Sequence, residues 1–166
     1  MSNLLPTSPF RLPPSVWLAT GFGIGLVAPA PGTFGAALGS LLARGISELP
    51  GLPVQLALIG ALLGVGIPLC TAAGNALGGK KDNQAIIWDE ITTVPLVFLF
   101  VPLTNWKTLL AGFALHRLFD ITKPPPARQL ERLHEGLGVM ADDVVAALYA
   151  ALTLYLVNRF AWPLSA

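Results

Sequence analysis

The sequence predicts an all-α protein: a compact helical bundle that is also a multi-span integral membrane protein, with one broken or re-entrant Gly/Pro-rich segment. Three observations carry this expectation. Charged residues make up only 11% of the 166 residues and hydrophobic ones 54%, against about 25% charged in an ordinary globular chain, so a water-facing shell is scarce. Residues 12–43 and 49–79 contain no charge, and the shorter runs 91–106 and 144–158 approach the roughly 17 to 25 residues needed to cross hydrocarbon. Five of the nine acidic residues, Asp89, Glu90, Asp120, Asp142 and Asp143, lie hard against apolar runs, a costly placement that a bound cation would offset. About three to five membrane segments fit this pattern. A soluble helical domain with an unusually apolar core is the alternative.

Along the chain, residues 1–14, with four prolines, read as an irregular arm. Glycines at 21, 23 and 25, then Pro29, Pro31 and Gly32, interrupt the next apolar stretch, because proline removes a helix donor and glycine loosens the turn. A break or re-entrant element is expected there, with helix resuming over 35–43. Residues 45–53 read as a connection and 54–74 as the clearest span. A polar loop over 78–83 leads into 84–90, helical patterning returns over 93–101, and a turn at 102–106 precedes a helix over 108–119. Pro124, Pro125 and Pro126 stop that helix. Residues 127–134 resemble a soluble surface helix, and 144–158 form a last apolar helix that Asp142 or Asp143 could cap.

The length fits a single domain over 1–166. A net charge of +1 supplies no basic face for nucleic acid. Cys70 stands alone, which excludes an internal disulfide framework and a cysteine-rich zinc site. The opening Met1 to Pro6 lacks the basic region of a cleaved signal peptide. If the apolar runs alternate across a bilayer, Arg11, Lys80, Lys81, Arg117, Lys123, Arg128 and Arg132 share one side, and Arg44, Lys107 and Arg159 the other. The positive-inside tendency makes the first side cytoplasmic, and the acidic clusters fall on it too.

Hard divalent cations prefer oxygen ligands, so Asp89, Glu90, Asp142 and Asp143 are candidate ligands for magnesium. Helical neighbours point about 100° apart, so one member of each adjacent pair is expected to face a shared centre. Arg117, Lys123 and Arg128 suit phosphate recognition, with interfacial anchoring as the alternative. Arg117 and Asp120 are three apart and could simply pair on one helical face. A Gly-rich turn near Thr33 could offer backbone N–H groups and a hydroxyl to an anion, or the glycines could serve close helix packing. His116 reads as a hydrogen-bonded core residue and His134 as exposed, and serine and cysteine nucleophile elbows are absent.

Four segments in order resemble the phosphatidylglycerophosphatase A family: Gly21 through Gly35, Trp88-Asp89-Glu90, Arg117-Leu118-Phe119-Asp120-Ile121-Thr122-Lys123-Pro124 and Gly138-Val139-Met140-Ala141-Asp142-Asp143. The chain departs from the family pattern at Asp82-Asn83, Ile91-Thr92-Thr93 and Glu135-Gly136. The resemblance implies a magnesium-dependent phosphatase that converts phosphatidylglycerophosphate to phosphatidylglycerol and inorganic phosphate at the cytoplasmic face of a bacterial inner membrane. By position, Asp89, Glu90, Asp120, Asp142 and Asp143 fall on the family's acidic positions, and Arg117 and Lys123 on its basic ones. Direct attack by water is then the expected route, ahead of an aspartyl-phosphate on Asp120 or Asp89. A small membrane transporter and a noncatalytic helical scaffold are the rival functions.

Overall fold

A short buried helix lies at the centre of the protein, and the longer helices surround it. The computed structural model describes residues 12–79 and 83–161, so most of the expected N-terminal arm, the basic residues Arg11, Lys80 and Lys81, and most of the polar loop around Asp82 lie outside the described residues. Among those described, the elements are all helical: α1 Pro14–Ala19, α2 Ile24–Val27, α3 Pro31–Ser47, α4 Leu52–Ala76, α5 Trp88–Val97, α6 Trp106–Thr122, α7 Ala127–Leu130 and α8 Glu135–Leu156, which continues as a π-turn over Val157–Ala161.

The Gly/Pro-rich segment is broken, as its composition demands. Phe22 (φ 59°) and Gly23 (φ 90°) turn the chain between α1 and α2, and α3 begins at Pro31 rather than at Gly35. Proline suits that first helical position, since its missing donor would have no partner there. Asn105 caps α6 by accepting the Thr108 N–H at 3.0 Å. At its other end, Lys123 (φ 42°) leaves the helix in the left-handed region just before the prolines.

Three expectations are corrected. Helix α5 starts at Trp88, five residues before the predicted 93, so Asp89 and Glu90 occupy its first turn, where negative charge is favoured by the helix dipole. Helix α8 starts at Glu135, nine residues before the predicted 144, so Asp142 and Asp143 lie inside it and cap nothing. Gly136 and Gly138, inside this helix, allow close approach. A Cβ at Gly136 would overlap the Ile67 carbonyl of α4, and one at Gly138 would lie 2.5 Å from the Leu133 carbonyl. The surface helix over 127–134 shortens to α7 followed by helical turns.

From Thr92 to Val97 every residue of α5 is buried, with α3, α8, α4 and α6 packed around it. Along α3, Gly32, Gly35, Ala36 and Gly39 recur at helical spacing and present the face that meets α5. Ala36, Ala43, Val94, Val97, Ala147, Ala150 and Leu154 fill the main core between α3, α5 and α8. Small side chains on α3 and α8 let the backbones come close to α5.

Two helices among the described residues are long and apolar enough to cross a membrane: α4, and α8 with its continuation to Ala161. At 25 residues α4 is about 37 Å long, more than a hydrocarbon core of about 30 Å. Helices α3 and α6 have 17 residues each and fall short of that test. Only 22% of the apolar stretch of α4 is buried in the bundle, against 50% of that of α8, so its outer face, with Leu52, Val54, Leu56, Leu58, Val65 and Ile67, is bare.

Candidate functional site

The N-termini of α3, α5 and α8 and the C-terminus of α6 meet at one end of the bundle and enclose a cavity of about 830 Å³. All nine residues singled out in the sequence line it: Thr33 from α3, Asp89 and Glu90 from α5, Arg117 and Asp120 from α6, Lys123 beyond it, Arg128 from α7, and Asp142 and Asp143 from α8. The basic residues Arg117, Lys123, Arg128 and Arg132 therefore share this end, while Arg44 and Lys107 sit at the opposite ends of α3 and α6 and Arg159 follows α8.

The floor of the cavity is acidic. One carboxylate oxygen from each of Asp89, Glu90 and Asp143 falls within 4.8 Å of the others. Both members of the Asp89–Glu90 pair thus reach one centre, where only one was expected to. The cause is the first turn of α5, which lies edge-on to the cavity beneath the α3 backbone. A Cβ at Gly32 would sit 2.5 Å from Glu90 Oε1 and 2.9 Å from an Arg117 guanidinium nitrogen, so only glycine lets α3 close over these side chains. Asp89 Oδ1, Glu90 Oε2 and Asp143 Oδ2 are buried and have no hydrogen-bond partner. Burial holds the Asp89 carboxyl well above its ordinary pKa, and the charges of Glu90 and Asp143 add to the rise. Burial likewise raises Glu90, against the opposing charge of Arg117.

The wall is different. Arg117 pairs with Asp120 one turn along α6, as the ion-pair reading of their spacing anticipates, and its Nη1 lies 4.0 Å from Glu90 Oε1. Lys123 Nζ donates to Asp142 Oδ2 at 2.7 Å and stands 3.3 Å from Glu131 Oε1. Burial alone would lower the Lys123 pKa, but the hydrogen bond and charge of Asp142, with Glu131, outweigh it and hold the ammonium above its usual value. Asp142 therefore stands apart from the floor trio. It gives Oδ2 to Lys123, and its buried Oδ1 has no partner.

Beneath the floor, His116 is fully buried. Thr93 Oγ1 donates to the Asp89 carbonyl at 2.8 Å, so it can accept only from His116 Nε2–H, 3.3 Å away. This chain ties α6 to the backbone beside Asp89. The exposed His134 instead borders a smaller cavity with Cys70 and Thr71. Sequence reasoning missed Glu131 and Arg132, taken for an ordinary solvated face, and Gly32 as part of the cavity wall. The spacing of Arg128, Glu131 and Arg132, three and four apart directly after the prolines, was the available signal.

Three clustered carboxylates, each with a buried oxygen that has no hydrogen-bond partner, suit a hard divalent cation. The wall carries the positive charge that a phosphate would meet.

The comparisons with known proteins agree with this chemistry. Phosphatidylglycerophosphatase A of Haemophilus influenzae is 40% identical over 85% of this chain and 86% of its own. The protein of the same name from Escherichia coli is 36% identical over 98% of this chain and 91% of its own. A putative phosphatidylinositol-3-phosphatase of Bacteroides thetaiotaomicron is 35% identical over 84% of this chain and 90% of its own. No solved structure matches. Residues 17–158 match the family described as Phosphatidylglycerophosphatase A, and the chain belongs to that family.

Proposed function

We propose that this protein hydrolyses the terminal phosphomonoester of phosphatidylglycerophosphate, giving phosphatidylglycerol and inorganic phosphate, at the cytoplasmic face of a bacterial inner membrane. The observation that carries this reading is the cavity itself. It sets three buried, unpartnered carboxylate oxygens opposite two fixed cations, in a chain of the phosphatidylglycerophosphatase A family.

The residues divide the work by charge. Asp89, Glu90 and Asp143 would hold magnesium, and the unpartnered Oδ1 of Asp142 belongs to a residue lining the same cavity. The cation, when bound, would draw charge from the phosphoryl oxygens and orient the attacking water. Lys123 has three N–H donors, and with Asp142 and Glu131 engaging two of them the third is free for a phosphoryl oxygen. Its raised pKa keeps it a cation, so it stabilises charge rather than donating a proton. Arg117, fixed in direction by Asp120, presents its remaining donors to the same space. Thr33, exposed on the α3 wall, can add a hydroxyl donor.

The bare face of α4 and the length of α8 support embedding in a bilayer. Asp143 is eight residues into α8, about 12 Å along its axis, which keeps the cavity near one membrane surface, within reach of a lipid headgroup. Positive charge gathered at that end favours the cytoplasmic side.

The decisive assay is phosphate release by the purified protein in detergent, with phosphatidylglycerophosphate and magnesium. Release that stops on chelation is expected. No release, or release indifferent to chelator, would overturn the reading, and solute flux in proteoliposomes would point to transport instead. Labelled phosphate trapped on the protein after an acid quench would replace direct attack by water with an aspartyl-phosphate.

A further inference from the structure

Two cations of the cavity have no carboxylate partner among the described residues. Arg117 and Lys123 are each held by acidic neighbours, whereas Arg128 and Arg132 form no ion pair among the described residues, although both line the same cavity. They are four residues apart on the helical turns after the prolines, so they project from one side, and both are exposed. The acid between them, Glu131, is turned instead toward Lys123. The result is an unpaired guanidinium pair at the mouth and a paired set of charges inside. The cavity, about 830 Å³, has the size of a site for a whole polar headgroup.

We propose that Arg128 and Arg132 form a second phosphate subsite, at the mouth of the cavity, for the phosphodiester that links a lipid headgroup to its diacylglycerol. The inference rests on the phosphatase reading above and gives it a substrate class: lipids that carry a terminal phosphomonoester and, a few bonds away, a phosphodiester. The monoester reaches the inner cations while the diester stays with the outer pair. Guanidinium groups are suited to this task because they donate two parallel hydrogen bonds to a phosphate without being desolvated completely. A lipid whose only phosphate is the monoester, such as phosphatidate, leaves the outer pair unused.

The test compares kcat/KM for phosphatidylglycerophosphate and for phosphatidate in an uncharged detergent, in the wild-type protein and in the double variant Arg128→Gln/Arg132→Gln. The ratio of the two values is expected to fall roughly tenfold or more in the variant, chiefly through KM for the diphosphate lipid. The double variant Arg128→Lys/Arg132→Lys should recover part of the ratio, since it restores charge without the two-pronged geometry. A ratio that the Gln variant leaves unchanged overturns the proposal. So does an effect that appears only when bulk anionic lipid is added, because the arginines would then be reading the membrane surface. A wild-type protein inactive on both lipids refutes the phosphatase reading and this inference with it; one active on both with an unmoved ratio refutes the inference alone.

Discussion

The floor and the wall of the cavity both present carboxylates, and Asp143 and Asp142, adjacent on α8, fall on opposite sides of the division. Asp142 meets Lys123 at 2.7 Å, and Asp120 on α6 meets Arg117, so the acids of the wall are neutralised within the fold. Asp143 borders Asp120 but gathers with Asp89 and Glu90, and among the described residues no lysine or arginine nitrogen stands closer than 4.0 Å to a carboxylate oxygen of these three. A buried carboxylate that has its cation contributes to the fold. One that lacks it destabilises the fold until a cation arrives from outside. The contrast thus separates acids paired within the fold from acids left for the proposed cation, although the two kinds are interleaved in sequence.

The sharpest way to break this comparison is Asp143→Asn. Activity should fall roughly 100-fold or more, the scale seen when one charge-stabilising group is removed from a reaction centre. Stability should behave in the opposite sense. With a chelator present, thermal unfolding of the variant should occur at or above the wild-type midpoint, because an uncompensated buried charge has been deleted. Magnesium at about 100 times its Kd should stabilise the wild type by about 2.7 kcal/mol and the variant much less. A variant that keeps its activity, or that unfolds earlier than wild type in chelator, would place Asp143 with the wall.

Asp142→Asn tests the other side of the division. It removes the charge that Lys123 meets most closely and should cost about 1 to 3 kcal/mol in denaturant unfolding whether or not magnesium is present. Activity should fall by less than in Asp143→Asn. If the cost appears only with magnesium, Asp142 belongs to the floor.

A third substitution reaches the floor through the backbone beneath it. Gly39 lies where α3 crosses α5, and a Cβ there would stand 2.7 Å from the Glu90 carbonyl and 2.8 Å from Val94 Cβ. Gly39→Ala should therefore push α5 outward, lowering stability by about 1 to 2 kcal/mol and activity with it. Gly45→Ala on the same helix meets no atom within 4 Å, so it should leave activity unchanged and raise stability by up to about 1 kcal/mol. Equal effects at the two glycines, measured by unfolding and phosphate release, would mean that helix propensity rather than the α3–α5 crossing is at work.

Much of this site was legible in the chain, and the failures have a common cause. Acids bordering charge-free runs, together with the Arg117 to Pro124 segment, identified residues that all line one cavity. The sequence could not separate Asp142 from Asp143, because their difference arises at Lys123, nineteen residues away, where a left-handed φ of 42° carries the ammonium toward α8. Helix starts were missed for a similar reason. Gly136 and Gly138 are weak helix formers, yet the close crossing of α8 with α4 and the Leu133 turn needs their missing side chains, and tertiary contact overrides propensity. The apolar helix over 54–74 is read nearly as it stands, since the uniformly apolar α4 depends on few distant contacts.

The smallest expected effect lies at the outer end of the wall. Tyr149, two turns beyond Asp142 on α8, stacks on Phe119 with ring centroids 5.5 Å apart and donates its hydroxyl to the Pro125 carbonyl at 2.8 Å. That bond fastens the proline turn, and with it Lys123 and α7, to the helix that carries the acids. Tyr149→Phe keeps the ring and removes only the bond, which is partly open to solvent, so it should cost about 0.5 to 1 kcal/mol. The floor is untouched by this change. Magnesium should therefore stabilise Tyr149→Phe as much as the wild type, while phosphate release slows about two- to threefold because the Lys123 ammonium is held less firmly opposite the floor. Were the magnesium response to weaken as well, floor and wall would be one mechanical unit, and the division drawn between Asp142 and Asp143 would describe charge alone.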